Sequence, residues 1–178
     1  MKTKNDVKTA LERSAKALEL KPSAGMKTKK ATAKLVDGLT CEVTEEEYTF
    51  TSDMPKSLGG NDAGLGPGAF GRISLASCLA IGYGMWLAKE EVPYEEIQVE
   101  VEGDLDFRGM LGVDDSVPPG HKEMRVRVNI ASPAPQAEIE RAIELADRHS
   151  PLMHLITQPI PVIRELNLTV PAAVAATA

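Results

Sequence analysis

Between residues 64 and 88 the chain reads GLGPGAFGRISLASCLAIGYGMWLA, a glycine-rich loop running into one long apolar stretch. From Phe70 to Ala88 the only charge is Arg72, and Ile73, Leu75, Ala76, Leu79, Ile81, Tyr83, Trp86 and Leu87 point all round when wound as a helix. A surface helix keeps a polar face, so this one is expected to be buried on every side. Pro67 suits its first turn, where a missing N–H costs nothing, and the glycines ahead of it supply the turn. At roughly 1.5 Å per residue such a helix spans about 30 Å, the width of a small domain, so the remaining elements must wrap around it. A membrane crossing is disfavoured. The uncharged run Ile73 to Ala88 falls short of the roughly 20 residues a bilayer needs, and Ser74, Ser77, Gly82 and Gly84 interrupt it.

With 178 residues, 43% hydrophobic and 26% charged, the chain has enough apolar material for one domain with a substantial core. A net charge of −6 gives no basic footprint for nucleic acid. Two cysteines, no C-x-x-C pair and no apolar signal region at Met1 to Lys4 lead us to expect a reducing, cytoplasmic setting with free thiols.

Residues 6 to 20 carry Val7, Ala10, Leu11, Ser14 and Leu18 at helical spacing, with Asn5 and Asp6 placed to cap. Lys21 to Lys30 is a basic, turn-rich connector, read as a solvated linker. From Ala31 the period becomes two, and Asp37-Gly38 predicts a tight hairpin with both residues at positive φ. In its second strand Leu39, Cys41 and Val43 share one face, which buries Cys41, and Tyr48 to Ser52 forms the next strand. After the long helix, Ile97, Val99 and Val101 alternate with acidic and polar residues, and Met124, Val126, Val128 and Ile130 alternate with Arg125, Arg127 and Asn129. Those wet faces carry opposite charges and favour an antiparallel pair, with residues 104 to 120 as a long loop between. Ile139, Ala142, Ile143 and Ala146 predict an amphipathic helix over 135 to 148, after which Ser150 caps and Pro151 starts another. Val162 to Val170 reads as a last strand, and the alanine-rich tail as frayed. The order of elements indicates an α+β fold.

Three signals bear on chemistry. Gly66 to Gly71 satisfies G-x-G-x-x-G, but a dinucleotide site needs a strand feeding directly into the loop, and the preceding strand ends near Ser52. His121, His149 and His154 form no metal-binding helical pair, and no G-x-S-x-G occurs, so we expect neither a metal nor a serine triad. That leaves Cys78. A cysteine in an apolar helix is either inert packing or a nucleophile served by the flexible loop ahead of it. Arg72 lies six residues back on a different face, so any charge that activates the thiol must come from elsewhere.

Across roughly Lys29 to Leu168 the sequence resembles the OsmC/Ohr family of osmotically induced and organic-hydroperoxide-resistance proteins. The resemblance rests on GGNDAGLGPGAFGRISLASC, VEVEGDLDFRGMLGV, MRVRVNIAS and SPLMHLITQPIPV in that order. It implies an α+β intertwined homodimer, with antiparallel sheets wrapped around the buried central helix and two active sites at the subunit interface. It also divides the chain into an N-terminal helix and linker (1–28), an OsmC-like domain (29–170) and a flexible tail (171–178).

Active members of that family reduce organic hydroperoxides with two cysteines, one in the central helix and a second that resolves its sulfenic acid, while an Arg and a Glu hold the first as thiolate. Cys78 matches the attacking position, and Ser150 stands where the second cysteine is usual. Ala69 replaces the Glu, and the early hairpin, which carries the Arg in active members, offers only Lys34, with Lys29 and Lys30 just ahead. On this resemblance the chain would be a divergent member lacking the second cysteine. Arg72 or Arg108 is then the candidate cation. Since serine forms no disulfide, turnover would require an external thiol, or Cys41 as resolver; Cys41 otherwise fills core and Ser150 otherwise only caps. The resemblance therefore implies a thiol-dependent hydroperoxide reductase of oxidative-stress defence; no cofactor, metal, nucleic acid or membrane partner is expected. The alternative is a non-catalytic homodimer binding a small apolar ligand in the interface cleft.

Overall fold

The computed structural model describes residues 4–169. Five strands and five α-helices follow in the order α1 (Lys4–Leu20), β1 (Ala31–Asp37), β2 (Thr40–Glu45), β3 (Tyr48–Ser52), α2 (Pro67–Lys89), β4 (Glu96–Leu105), α3 (Phe107–Met110), β5 (His121–Ala131), α4 (Gln136–Arg148) and α5 (Pro151–Thr157). The strands form two antiparallel sheets, β1-β2-β3 and β4-β5.

The β4-β5 pair sets the expected charges opposite one another. Glu100 faces Arg127 and Glu102 faces Arg125, and the Arg127 Nη1 reaches the Glu100 carboxylate at 2.6 Å. These ion pairs lie on the exposed face, where their net contribution is small. The other face does more. Ile97, Val99, Val101, Met124 and Val128 cover a core of Leu75, Leu79, Tyr83 and Ala146, and a second cluster joins Leu87, Val92 and Ala142. Ala142 and Ala146 are buried small residues one turn apart on α4, which lets its backbone approach α2 closely.

Helix α2 begins at Pro67 as its sequence predicts, but burial is one-sided within the chain. Leu75, Leu79, Tyr83 and Leu87 recur every four residues against α4 and β4, while Ile73, Ile81 and Met85 on the other side are 51%, 63% and 37% exposed. By length and composition α2 is able to cross a membrane, yet its Leu75–Leu87 face is taken by protein.

Several expectations need correction. α1 starts at Lys4, so Asn5 and Asp6 lie inside its first turn. The first hairpin turns on Gly38 and Leu39 between the paired Asp37 and Thr40, with Gly38 alone at positive φ, so Leu39 is an exposed turn residue. Cys41 is partly exposed because β1, β2 and β3 meet the helical half of the chain through little more than the Phe50–Phe70 edge-to-face contact and the Ser52–Leu65 bridge. The loop after β4 contains the short α3, capped by Asp106, and Asp104 and Leu105 still belong to the strand. Residues 159–169 are irregular, although a strand was expected from Val162 to Val170. Ile160, Val162, Ile163, Leu166 and Leu168 are all exposed, and alternation without a neighbouring strand makes no ladder. Val170 and the tail lie outside the described residues.

Candidate functional site: the Cys78–Ser150 pair

Two helices converge on the thiol. Cys78 sits midway along α2, partly buried, one residue before the core Leu79. α4 packs along α2 through Ala142 and Ala146, and the Tyr83 hydroxyl donates to Asp147 Oδ1 at 2.9 Å in the last turn of α4. The chain then reverses through His149 and restarts as α5, whose Leu152 and Met153 pack on the same core. This path carries Ser150 to Cys78, with Sγ and Oγ 3.6 Å apart. Among the described residues, that hydroxyl is the hydrogen-bonding partner of the sulfur.

Ser150 is 6% exposed, and its side chain accepts the Met153 N–H at 3.3 Å, which is the N-cap its sequence predicts. His149 places its ring against Trp86, 4.7 Å between centroids, with Nδ1 2.7 Å from the Leu145 carbonyl oxygen. Lys89 stands over the same indole at 4.2 Å.

The other candidates lie elsewhere. Arg108 pairs with Asp106 through Nε and Nη2, at 3.1 and 2.7 Å, and faces Asp114. Its guanidinium, with its own N–H and Lys122, holds the Asp106 carboxyl well below the usual carboxylate range. Arg72 has no hydrogen bond or ion pair among the described residues, and its guanidinium folds towards Gly68. Neither arginine hydrogen-bonds the Cys78 sulfur within the chain. Cys41 is a free thiol on β2, 3.9 Å from the Glu42 carbonyl oxygen.

Sequence reading missed the residue that shapes the loop leading into α2. Asp53, 2% exposed, accepts hydrogen bonds from the Thr40 hydroxyl and from the backbone N–H groups of Met54, Asn61 and Ala63. Burial pushes its carboxyl up, but these donors, led by Ala63, outweigh it and hold the pKa below the ordinary value. The loop glycines serve the same fold: a Cβ on Gly60 would lie 1.8 Å from the Met54 carbonyl oxygen. β3 ends at Ser52 and α2 starts at Pro67, so no strand feeds the glycines directly into the helix, as a dinucleotide site requires.

Apolar grooves are open among the described residues. One of about 320 Å³ runs between α1 and the end of α2, along Leu11, Leu18, Met85 and Trp86. Another of about 440 Å³ lies over Val128, Ile130, Ile139 and Ile143. Cys78 lines neither.

An α+β chain with two antiparallel sheets about a long central helix is a fold seen in solved structures. An OsmC-like protein from Mycoplasma pneumoniae superposes with a TM-score of 0.64 at 20% identity, over 74% of this chain and 88% of that one. An organic hydroperoxide resistance protein OsmC from Legionella pneumophila gives 0.57 at 19%, over 74% and 90%. An organic hydroperoxide resistance protein from Elizabethkingia anophelis gives 0.53 at 19%, over 73% and 88%. At these identities the likeness is one of fold. The sequence matches no curated protein significantly. Residues 59–165 match the model of the OsmC-like protein family, and the chain belongs to that family.

Proposed function

We propose that this protein is a thiol-dependent reductase of organic hydroperoxides, with Cys78 as the nucleophile and an external thiol as the reductant. The observation that carries the reading is the Cys78–Ser150 contact at 3.6 Å, between the two residues that the family resemblance matches to a cysteine pair. Two of the structural neighbours are described as organic hydroperoxide resistance proteins, which agrees with it.

The chemistry balances without a cofactor. The Cys78 thiolate attacks a peroxide oxygen; an S–O bond forms, the O–O bond breaks, and the alkoxide leaves to be protonated as the alcohol. Sulfur is oxidised by two electrons to the sulfenic acid. A thiol from outside the chain displaces water to form a mixed disulfide, and a second such thiol releases Cys78 as the external disulfide forms. Such thiols are abundant in a reducing cytoplasm. Cys41 as resolver is the internal alternative.

We further propose that the working unit is a homodimer. Ile73, Ile81 and Met85 leave an apolar stripe on α2 that a second copy would cover, and the same contact would bring new side chains towards Cys78. Arg72 and Arg108 stay the candidate cations in that assembly. A second reading draws on the same stripe: a non-catalytic dimer that holds a small apolar ligand in its cleft.

Hydroperoxide consumption decides between them. Cumene hydroperoxide should be consumed with glutathione or a dithiol as reductant, and C78S should abolish the activity while C41S retains it. Consumption that persists in C78S would remove the proposed nucleophile, and loss in C41S would make Cys41 the resolver.

A further inference from the structure

We infer that Ser150 is the hydrogen-bond donor that favours the thiolate of Cys78. This inference rests on reading Cys78 as the nucleophile, but its test does not use the peroxidase reaction.

A hydroxyl has one proton to give and two lone pairs to receive with. At Ser150 one lone pair takes the Met153 N–H, which is itself a donor and has no use for the hydroxyl proton. The side chain is buried, so water does not readily take that proton either. Among the described residues, the acceptor left within reach is the Cys78 sulfur at 3.6 Å. A neutral thiol is able to return the bond as a weak donor. A thiolate is not, so ionisation fixes the direction as Ser150 O–H to S⁻. A hydrogen bond to an ionised acceptor is roughly twice as strong as one between neutral groups. The pair therefore stabilises the charged form more than the neutral one, and the Met153 N–H polarises the hydroxyl in the same sense.

Capping alone does not call for this residue. Asp and Asn cap as well as Ser, but a carboxylate would set a second negative charge against the sulfur, and neither side chain places a hydroxyl proton there. A β-hydroxyl both caps and donates. It forms no disulfide, so the oxidised sulfur stays open to a thiol from outside.

The test is alkylation of Cys78 in the full-length protein, followed by mass spectrometry on the peptide that contains it. The rate near neutral pH is divided by the plateau rate in alkali, where every thiol is ionised, which removes differences in accessibility. We expect this ratio to fall about tenfold in S150A and to return to near the wild-type value in S150T, which keeps both the cap and the hydroxyl. In S150C, mild oxidation should close a disulfide to Cys78, visible as the loss of two hydrogens. An unchanged ratio in S150A, a ratio in S150T as low as in S150A, or no disulfide in S150C would each overturn the inference. Hydroperoxide consumption is measured separately. A protein inactive as a peroxidase that still shows the S150A drop and its rescue retains Ser150 as donor and loses only the proposed activity.

Discussion

The Tyr83 hydroxyl donates to Asp147 Oδ1 at 2.9 Å, tying the middle of α2 to the last turn of α4 just before the chain bends to present Ser150. Burial first, and the Asp147 carboxylate second, push the Tyr83 phenol well above its ordinary pKa. The folded state therefore holds this proton more tightly than the unfolded chain. The resulting stability is whole below about pH 10, the ordinary tyrosine value, and is lost as the pH rises above it. Y83F should lower stability by about 1 kcal/mol near neutral pH, and should lose less than the wild type between neutral and strongly alkaline urea titrations. Equal alkaline losses in the two proteins would exclude this linkage.

Asp53 gives the opposite sign. Its carboxylate gathers the Thr40 hydroxyl and three backbone N–H groups, and its folded pKa lies below the unfolded value. Its contribution is present above about pH 4 and is lost as the pH falls through the folded value. Hydrogen exchange at the Asn61 and Ala63 amides should speed up in D53A at neutral pH, while exchange in β4 and β5 stays slow. If those loop amides exchange as in the wild type, Asp53 does not hold the loop.

The exposed stripe on α2 calls for a polar challenge. I81D places a charge where Ile81 is 63% exposed in the single chain, so the monomer's fold should tolerate it. Light scattering during gel filtration should show a dimer for the wild type and a monomer for I81D, with unchanged circular dichroism. A wild-type monomer would remove the proposed assembly.

α1 lies outside the family match and packs beside Trp86, the only tryptophan in the sequence. No α1 residue belongs to the two core clusters. Removing residues 1–21 should therefore shift tryptophan emission to longer wavelength and leave the cooperative unfolding of the remainder intact. Unshifted emission would mean that α1 does not cover the indole.

What was legible in the sequence followed local rules. The long apolar helix opened by Pro67, the alternation of β4 and β5 with Glu opposite Arg, and the Ser150-Pro151 helix start each depend on residues near one another or on one strand pair. What was not legible depended on distant partners. Asp53 collects donors whose positions follow the path of the loop, and Tyr83 meets a carboxylate on a helix that only the fold places beside it. The first turn was misplaced by one residue because Asp-Gly marks a turn without fixing which pair is central. Val162 to Val170 shows the reverse error: alternation gives a strand its faces, but a ladder needs a neighbour, and residues 159–169 have none within the described chain. At the candidate site, the sequence identified Cys78 and Ser150 separately; their 3.6 Å contact is a product of helix packing.

Reactivity of the Cys78 thiol is read from its second-order rate of oxidation by cumene hydroperoxide, followed anaerobically by stopped flow. A nucleophilic Cys78 should react about a hundredfold faster than a free thiol at the same pH, with sulfenic acid trapped at Cys78. A rate equal to that of the free thiol would contradict it.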